Sequence, residues 1–110
     1  MGHLFGDNIL KKITKTIRLN TRKNDCVCRY GGEEFCVVID NCDHNLAVKL
    51  AERIRTKIEQ LNITISIGGY VVNQQSSANK TIEQSIDEAI GIADNNLYFA
   101  KRNGKNQVCL

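Results

Sequence analysis

Residues 26–39, which read CVCRYGGEEFCVVI, decide the fold of this chain. Two apolar runs, Cys26 to Tyr30 and Phe35 to Ile39, flank the tetrapeptide Gly31-Gly32-Glu33-Glu34. Apolar runs on either side of a short glycine-containing connection are typical of a β-hairpin. The sequence therefore predicts two antiparallel strands joined by a turn that carries two glutamates.

Three segments around this hairpin show the apolar spacing of amphipathic helices. The first covers residues 7–19, and Asp7 stands at the position of an N-cap. The second covers residues 45–60 and the third covers 82–102, with Gly104 placed to end it. The predicted buried positions are Ile9, Leu10, Ile13 and Ile17 in the first helix, Leu46, Leu50, Ile54 and Ile58 in the second, and Ile82, Ile86, Ala89, Ala93, Leu97 and Ala100 in the third.

β-Branched residues predict a further strand over residues 63–72, followed by a polar loop over 73–80 and a last short strand over 107–110. This order of elements predicts an α/β class fold, an α+β sandwich with one sheet and helices packed on it. Because the chain begins almost directly on a helix, we expect the sheet's opening strand to be missing from it.

Length and composition bound the possible functions. A chain of 110 residues has room for one domain. The formal net charge of +3 comes from basic and acidic residues spread along the chain, which argues against nucleic-acid binding. No apolar run is long enough to span a bilayer, so a cytoplasmic location is expected for this segment. All five cysteines are predicted to be reduced thiols, and the three in the apolar runs of the hairpin are predicted to be buried.

The turn has a chemistry of its own. Consecutive glycines let a phosphate approach the main chain closely. Carboxylates are the ligands that Mg²⁺ prefers, and one or two of them combine with substrate phosphates in many magnesium sites. Gly31 to Glu34 therefore suit metal-assisted phosphoryl transfer, although a surface hairpin with solvated acids has the same pattern.

The string Cys28-Arg29-Tyr30-Gly31-Gly32-Glu33-Glu34-Phe35 resembles the signature of GGDEF-type diguanylate cyclases. Other marks of that family follow the same order: Gly2-His3-Leu4-Phe5-Gly6-Asp7 upstream, Thr64 to Gly68 in a strand, and Ala93 to Asn106 at the end. The resemblance covers essentially the whole chain. It implies a palm-like nucleotidyl-cyclase sheet and the conversion of two GTP into the bacterial second messenger cyclic di-GMP and two pyrophosphates.

The resemblance also implies the site residues. Glu33 and Glu34 would be catalytic and would hold Mg²⁺ or Mn²⁺, with Glu33 the better candidate for the ligand. Asp7 would accept paired hydrogen bonds from guanine, a pattern that adenine cannot reproduce. Four other residues would contact the substrate: Gly31 and Gly32 at the turn, and Lys101 and Lys105, which would hold the GTP phosphates. The family often has arginine where this chain has Lys105, which keeps the charge but loses a bidentate contact.

A second nucleotide site is implied by Arg22-Lys23-Asn24-Asp25, an Arg-x-x-Asp motif that lies where the family's inhibitory site does. Guanidinium and carboxylate together suit a guanine nucleotide. The resemblance implies allosteric product inhibition by cyclic di-GMP bound at Arg22 and Asp25, with a secondary contact from Arg53.

The family's first strand carries a second metal ligand, and the loop after it carries an asparagine that reads guanine. Neither residue has a counterpart in this chain, so we expect the isolated chain to be inactive and its parent protein to be a cyclase. Because each domain binds one GTP, a homodimer is expected. The resemblance also implies an upstream sensory domain for signal transduction, which lies outside this chain. That N-terminal region could also anchor the parent protein in a membrane.

Two other functions remain open. The first is a non-catalytic receptor that binds cyclic di-GMP through Arg22 and Asp25 and acts on a partner protein. The second is a polymerase-like or adenylate-cyclase-like palm with another nucleotide substrate, for which Asp7→Ala would leave the preference for GTP unchanged.

Overall fold

The computed structural model describes residues 2–31, 34–72 and 81–110. It divides into two compact units, Met1–Asn41 and Cys42–Leu110. The first unit contains α1 (Gly2–Leu19), β1 (Cys26–Gly31) and β2 (Glu34–Val38). The second contains α2 (His44–Glu59), β3 (Ile67–Gly68), α3 (Ile82–Arg102) and β4 (Val108–Cys109). This mixture of helices and strands confirms the predicted α/β class.

Helix α1 begins at Gly2, five residues before the predicted start. Asp7 therefore lies inside the helix, and its predicted place at the N-cap is wrong. Gly6 does not interrupt the helix, because a glycine in a helix interior costs only about 1 kcal/mol relative to alanine. Ile13 and Ile17, on the predicted apolar face, are buried at 8% and 5% exposure.

Strands β1 and β2 form the predicted hairpin. They pair antiparallel with Cys28 opposite Cys36 and Arg29 opposite Phe35. The register then shifts, so that the next pair is Gly31 with Glu34, and β1 has one extra residue in a β-bulge. Bulges re-aim the side chains beside them and often occur next to active sites.

Helix α2 buries most of the residues that were predicted at a spacing of four. Asp43 caps the helix, because its carboxylate accepts a hydrogen bond of 2.8 Å from the main-chain N–H of Leu46. Leu50, Ile54 and Ile58 are buried, and Ile58 has no exposed surface. Leu46 lies in the first turn and is 37% exposed, so the buried face is one turn shorter than predicted.

Strands β3 and β4 form a short parallel ladder. Ile67 pairs with Val108 and Gly68 pairs with Cys109. The strand predicted over residues 63–72 is thus reduced to two residues, because β-branched residues form a strand only where a partner strand lies beside them. Within the described ranges the strands form two separate two-stranded ladders, whereas the sequence predicted one sheet. The predicted loop over 73–80 lies outside the described residues.

Helix α3 has the predicted bounds, Ile82–Arg102. It begins with a capping box, in which Thr81 and Gln84 exchange side-chain-to-main-chain hydrogen bonds of 3.1 Å. Ala100 is fully buried, whereas Ile86 is 52% exposed despite its place in the apolar pattern. The helix runs directly over β3, since a Cβ atom on Gly68 would lie 2.1 Å from the Leu97 nitrogen.

All five cysteines are free thiols, in line with the sequence. Cys26 and Cys28 are exposed, however, which corrects the expectation that the hairpin cysteines are buried. Cys36 lies deeper, and burial, together with the neighbouring thiols Cys28 and Cys26, raises the pKa of its thiol.

Candidate functional site

One end of the hairpin carries the glycine turn. Gly31 is the last residue of β1 and lies opposite Glu34, the first residue of β2. The Glu34 side chain is exposed, and no hydrogen bond or ion pair joins it to another described residue. Gly32 and Glu33 lie outside the described residues, as does the side chain of Asp7. The structure therefore places the start and the end of the predicted turn, and one of its two carboxylates.

The resemblance implies a divalent cation here, and the one described carboxylate, that of Glu34, is of the chemical type that such an ion prefers. Glu34 offers carboxylate oxygens to solvent beside a glycine main chain, and Mg²⁺ usually takes one or two protein carboxylates together with substrate phosphates. In the part of the chain that the structure describes, no three Asp, Glu, His or Cys side chains cluster as an all-protein metal cage would require. A cation held by only one or two carboxylates would need a bound phosphate or water for its remaining ligands.

The predicted phosphate-binding lysines lie at the C-terminal end of α3. Lys101 is exposed in the last turn, and Lys105 is exposed in the turn that follows the helix. The main-chain N–H of Lys105 donates to the Ala100 oxygen at 3.0 Å. Arg102, by contrast, lies 5.6 Å from the ring centre of Tyr98 and donates to its hydroxyl at 3.0 Å. The two lysines are thus exposed to solvent at this helix end, and their contact with the GTP phosphates stays a prediction.

The Arg-x-x-Asp motif forms a tight loop between α1 and β1. The Asp25 carboxylate accepts hydrogen bonds from the Arg22 main-chain N–H at 2.8 Å and from Arg22 Nε at 3.4 Å. Arg22 Nη2 lies 3.4 Å from the other carboxylate oxygen and donates to the main-chain oxygen of Asp40. The loop is therefore tied both to itself and to the residues that follow β2.

Arg22 and Asp25 differ in their access to a ligand. The Asp25 side chain is 1% exposed, whereas that of Arg22 is 48% exposed. In this conformation Asp25 fixes the loop and Arg22 presents its remaining N–H groups to solvent. The sequence assigned both residues to direct ligand contact, and the internal role of Asp25 was not foreseen.

The Asp25 carboxyl group provides a test of this geometry. Burial acts to raise its pKa, but the hydrogen bonds and positive charge of Arg22 outweigh burial and hold the pKa below the ordinary value of 3.8. Above its ordinary pKa this group contributes fully to the free energy of unfolding. The contribution is lost as the pH falls through the lowered pKa of the folded state. We expect an NMR titration to give Asp25 a midpoint below 3.8 and Arg22→Ala to raise it. Equal midpoints in the two proteins would contradict this geometry.

The two predicted nucleotide sites lie at opposite ends of the same hairpin. Asp25 immediately precedes β1, and Gly31 ends it after six residues. At about 3.3 Å per residue the two ends are about 20 Å apart. A ligand at the Arg22 loop is therefore separate from one at the glycine turn. Arg53 is exposed on α2 in the second unit, so its predicted share in the Arg22 site stays a prediction.

Sequence reasoning missed one feature of the first unit. A shallow groove of about 280 Å³ lies between α1 and the hairpin. Three basic side chains contribute to its lining, namely Lys11, Arg18 and Arg29. The spacing of seven between Lys11 and Arg18, two helical turns, was the signal available for it.

Comparison with known proteins decides the family. The family described as "Diguanylate cyclase, GGDEF domain" matches residues 1–107. The chain belongs to the GGDEF domain family. This confirms the resemblance seen in the sequence, and the turn, the lysines and the Arg22 loop are parts of a GGDEF domain.

The relatives of this GGDEF domain include named cyclases. Diguanylate cyclase A of Treponema denticola is 38% identical over 99% of this chain, which covers 30% of that protein. Diguanylate cyclase DosC of Escherichia coli K12 is 35% identical over 97% of this chain, which covers 24% of that protein. The GGDEF chain thus spans about a third or less of the length of these relatives.

Solved structures share the fold. The GGDEF domain of DgcB from Caulobacter crescentus, in complex with c-di-GMP, has a TM-score of 0.74 at 21% identity, covering 99% of this chain and 66% of that one. The active GGEEF domain of a diguanylate cyclase from Vibrio cholerae has a TM-score of 0.70 at 26% identity, covering 97% of this chain and 69% of that one. In the described part of this GGDEF domain, none of the helices has the length and apolarity needed to cross a membrane.

Proposed function

We propose that the protein containing this chain is a diguanylate cyclase and that residues 1–110 belong to one GGDEF domain. It would join two GTP molecules into cyclic di-GMP and release two pyrophosphates. The observation that carries this proposal is the bulged end of the hairpin, where the exposed residue Glu34 pairs with Gly31 in a member of the GGDEF family.

The proposed metal is Mg²⁺ or Mn²⁺, held by Glu33 and Glu34. When bound, such an ion offsets the negative charge of the phosphates and favours attack by a hydroxyl oxygen. The glycines at positions 31 and 32 would let the phosphates approach the main chain without a clash from a Cβ atom.

The remaining residues would bind and orient the nucleotide. Lys101 and Lys105 would hold the phosphates by charge-assisted hydrogen bonds. Asp7 would select guanine by accepting from its N1 and N2 donors. The 3′-hydroxyl oxygen of one GTP attacks the α-phosphorus of the other, and the bond from that phosphorus to the β-phosphate oxygen breaks. A carboxylate of the turn would accept the hydroxyl proton.

Two such bonds close the ring, and each domain would supply one GTP, so we propose a homodimer in which two glycine turns face each other. The substrate also implies that the domain lies in the cytoplasm, where GTP is available. A sensory domain elsewhere in the protein would control the pairing.

The proposal is tested by incubating the full-length protein with GTP and Mg²⁺ and measuring cyclic di-GMP and pyrophosphate. We expect one pyrophosphate per GTP consumed, no product with ATP, and loss of the base preference in Asp7→Ala. Absence of product from the full-length protein, with retained binding of cyclic di-GMP, would instead support the receptor function.

We also propose that cyclic di-GMP binds at the Arg22 loop and inhibits the enzyme. The half-exposed guanidinium of Arg22, fixed by Asp25 and the Asp40 main chain, supports this proposal. An ordered arginine suits a phosphate or a guanine edge, because less side-chain freedom is lost when the ligand binds. Arg53 would add a secondary contact.

We expect Arg22→Ala to weaken cyclic di-GMP binding at least about tenfold, since a hydrogen bond to a charged group is worth roughly 1.5–3 kcal/mol. Asp25→Ala should weaken it as well, because the loop loses its internal anchor. Lys23→Ala is the matched control, because Lys23 is an exposed cation in the same loop. Calorimetric titration with cyclic di-GMP measures all three, and equal affinities for Arg22→Ala and Lys23→Ala would refute this assignment.

A further inference from the structure

The chain that follows α3 adopts an uncommon backbone conformation. Gly104, Lys105 and Asn106 have φ angles of +110°, +60° and +45°. Gly104 ends the helix in a Schellman-type turn, in which the Lys105 N–H reaches back to the Ala100 oxygen. Left-handed residues beyond the glycine are rare, and lysine has no special tolerance for this region, whereas asparagine does. Contacts from outside the turn are therefore needed to hold it.

Some of those contacts come from Gln107, whose Nε2 donates to the main-chain oxygens of Asn103 at 2.6 Å and Ala100 at 3.2 Å, and others come from α2 through Asn106. Arg55 Nη1 donates to Asn106 Oδ1 at 3.0 Å, and Asn106 Nδ2 donates to Glu59 Oε2 at 2.5 Å. Both ends of the asparagine amide are thus bound by residues one helical turn apart on α2. Their separation from Asn106 by about 50 positions in sequence makes this a tertiary contact that fixes the turn against the helix.

Arg55 is itself fixed by two carboxylates. Its Nε and Nη2 donate to Glu52 at 3.1 and 2.9 Å, and its Nη1 lies 3.5 Å from Glu59. The side chain is only 16% exposed. Hydrogen bonding to Glu52 is the main reason that the pKa of Arg55 is raised, so the guanidinium keeps its charge throughout the accessible pH range. A lysine has no planar fork and cannot serve Glu52 and Asn106 together.

The residue between the glycine and the clamped asparagine is Lys105. Its φ angle of +60° lies between the positive φ angles of Gly104 and Asn106. We propose that Arg55 is a positioning residue for the nucleotide site: through Asn106 it holds the turn that presents Lys105 to the GTP phosphates. This inference rests on the phosphate-binding role of Lys105 in the proposed function.

A double-mutant cycle tests the proposal. Affinity for α,β-methylene GTP with Mg²⁺ is measured by calorimetry on the full-length protein and on Arg55→Ala, Lys105→Ala and the double variant. We expect Lys105→Ala to weaken binding about tenfold and Arg55→Ala at least about threefold. In the Lys105→Ala background, Arg55→Ala should change the affinity less than about 1.5-fold, because its effect passes through Lys105.

Two further variants serve as a second probe of the contact and as a control for the double-mutant cycle. Asn106→Gly removes the amide that Arg55 and Glu59 bind, but glycine accepts a positive φ, so this variant should fold even where Arg55→Ala does not. It should reproduce the loss of affinity and its dependence on Lys105. Lys57→Ala is the control, since Lys57 is an exposed cation on the same helix, and it should leave the affinity unchanged.

The results distinguish failure of the positioning role of Arg55 from failure of the phosphate site at Lys105. If Lys105→Ala weakens binding, but Arg55→Ala and Asn106→Gly either have no effect or have the same effect with and without Lys105, the positioning role is refuted and the proposed function stands. If Lys105→Ala leaves the affinity unchanged, or the unmodified protein does not bind the analogue, the phosphate site at Lys105 is refuted and the positioning role with it.

Discussion

Glu34→Gln is expected to reduce the conversion of GTP to cyclic di-GMP by at least about a hundredfold, the lower limit for loss of a positioned acid or base. Glutamine has nearly the same shape as glutamate and keeps β2 paired, but it carries no charge and cannot accept a proton at neutral pH. The variant therefore removes the proposed metal-binding and proton-accepting group while preserving the hairpin. Glu33→Gln is expected to reduce turnover to a similar extent.

The control for this prediction is Glu83→Gln, an exposed glutamate in the first turn of α3. It should retain turnover, although it also lowers the negative charge of the domain by one. Binding of cyclic di-GMP at the Arg22 loop should survive in Glu34→Gln, because the two ends of β1 are about 20 Å apart. Turnover above a tenth of the unmodified rate would rule out a catalytic role for Glu34.

The fold was predictable where local sequence determines structure. The glycine pair between two apolar runs correctly predicted the hairpin, and the helical spacing correctly predicted the bounds of α3. The incorrect predictions concern segments whose structure depends on a neighbouring strand or on the residues that precede them. Residues 63–66 have strand propensity but no paired strand, and Asp7 has a capping side chain but lies inside a helix that continues upstream.

The same distinction applies to the candidate site. The glycine turn and the Arg-x-x-Asp motif are contiguous in sequence, so their residues were recognised without a structure. The inward bonding of Asp25 and the Arg55–Asn106 contact were not, because burial and contacts between residues 51 positions apart leave no local pattern. Sequence therefore predicted which groups would meet a nucleotide, and the structure shows the internal contacts of Asp25 and Asn106.

A substitution at Gly68 is expected to have the largest effect on stability. A Cβ atom there would lie 2.1 Å from the Leu97 nitrogen and 2.3 Å from the Ala93 oxygen. Both are main-chain atoms of α3, so no side-chain rotation relieves the clash, and the helix must move away from β3. We expect Gly68→Ala to lower the free energy of unfolding by about 3 kcal/mol or more, at the upper end of the range for overpacked cores. Urea denaturation followed by circular dichroism measures the change.

Gly91→Ala provides the matched control, because it makes the same chemical change in α3 itself. A Cβ atom on Gly91 meets nothing within 4 Å. Alanine there should raise the free energy of unfolding by about 0.5–1 kcal/mol, since glycine in a helix interior is the less favourable residue. The two substitutions are therefore expected to change the free energy of unfolding in opposite directions, because a Cβ atom clashes at position 68 and has free space at position 91. If Gly68→Ala were as stable as the unmodified chain, the main chain of α3 would not lie against β3 as closely as these distances require. The position of Lys101 and Lys105 at the end of α3 would then differ as well.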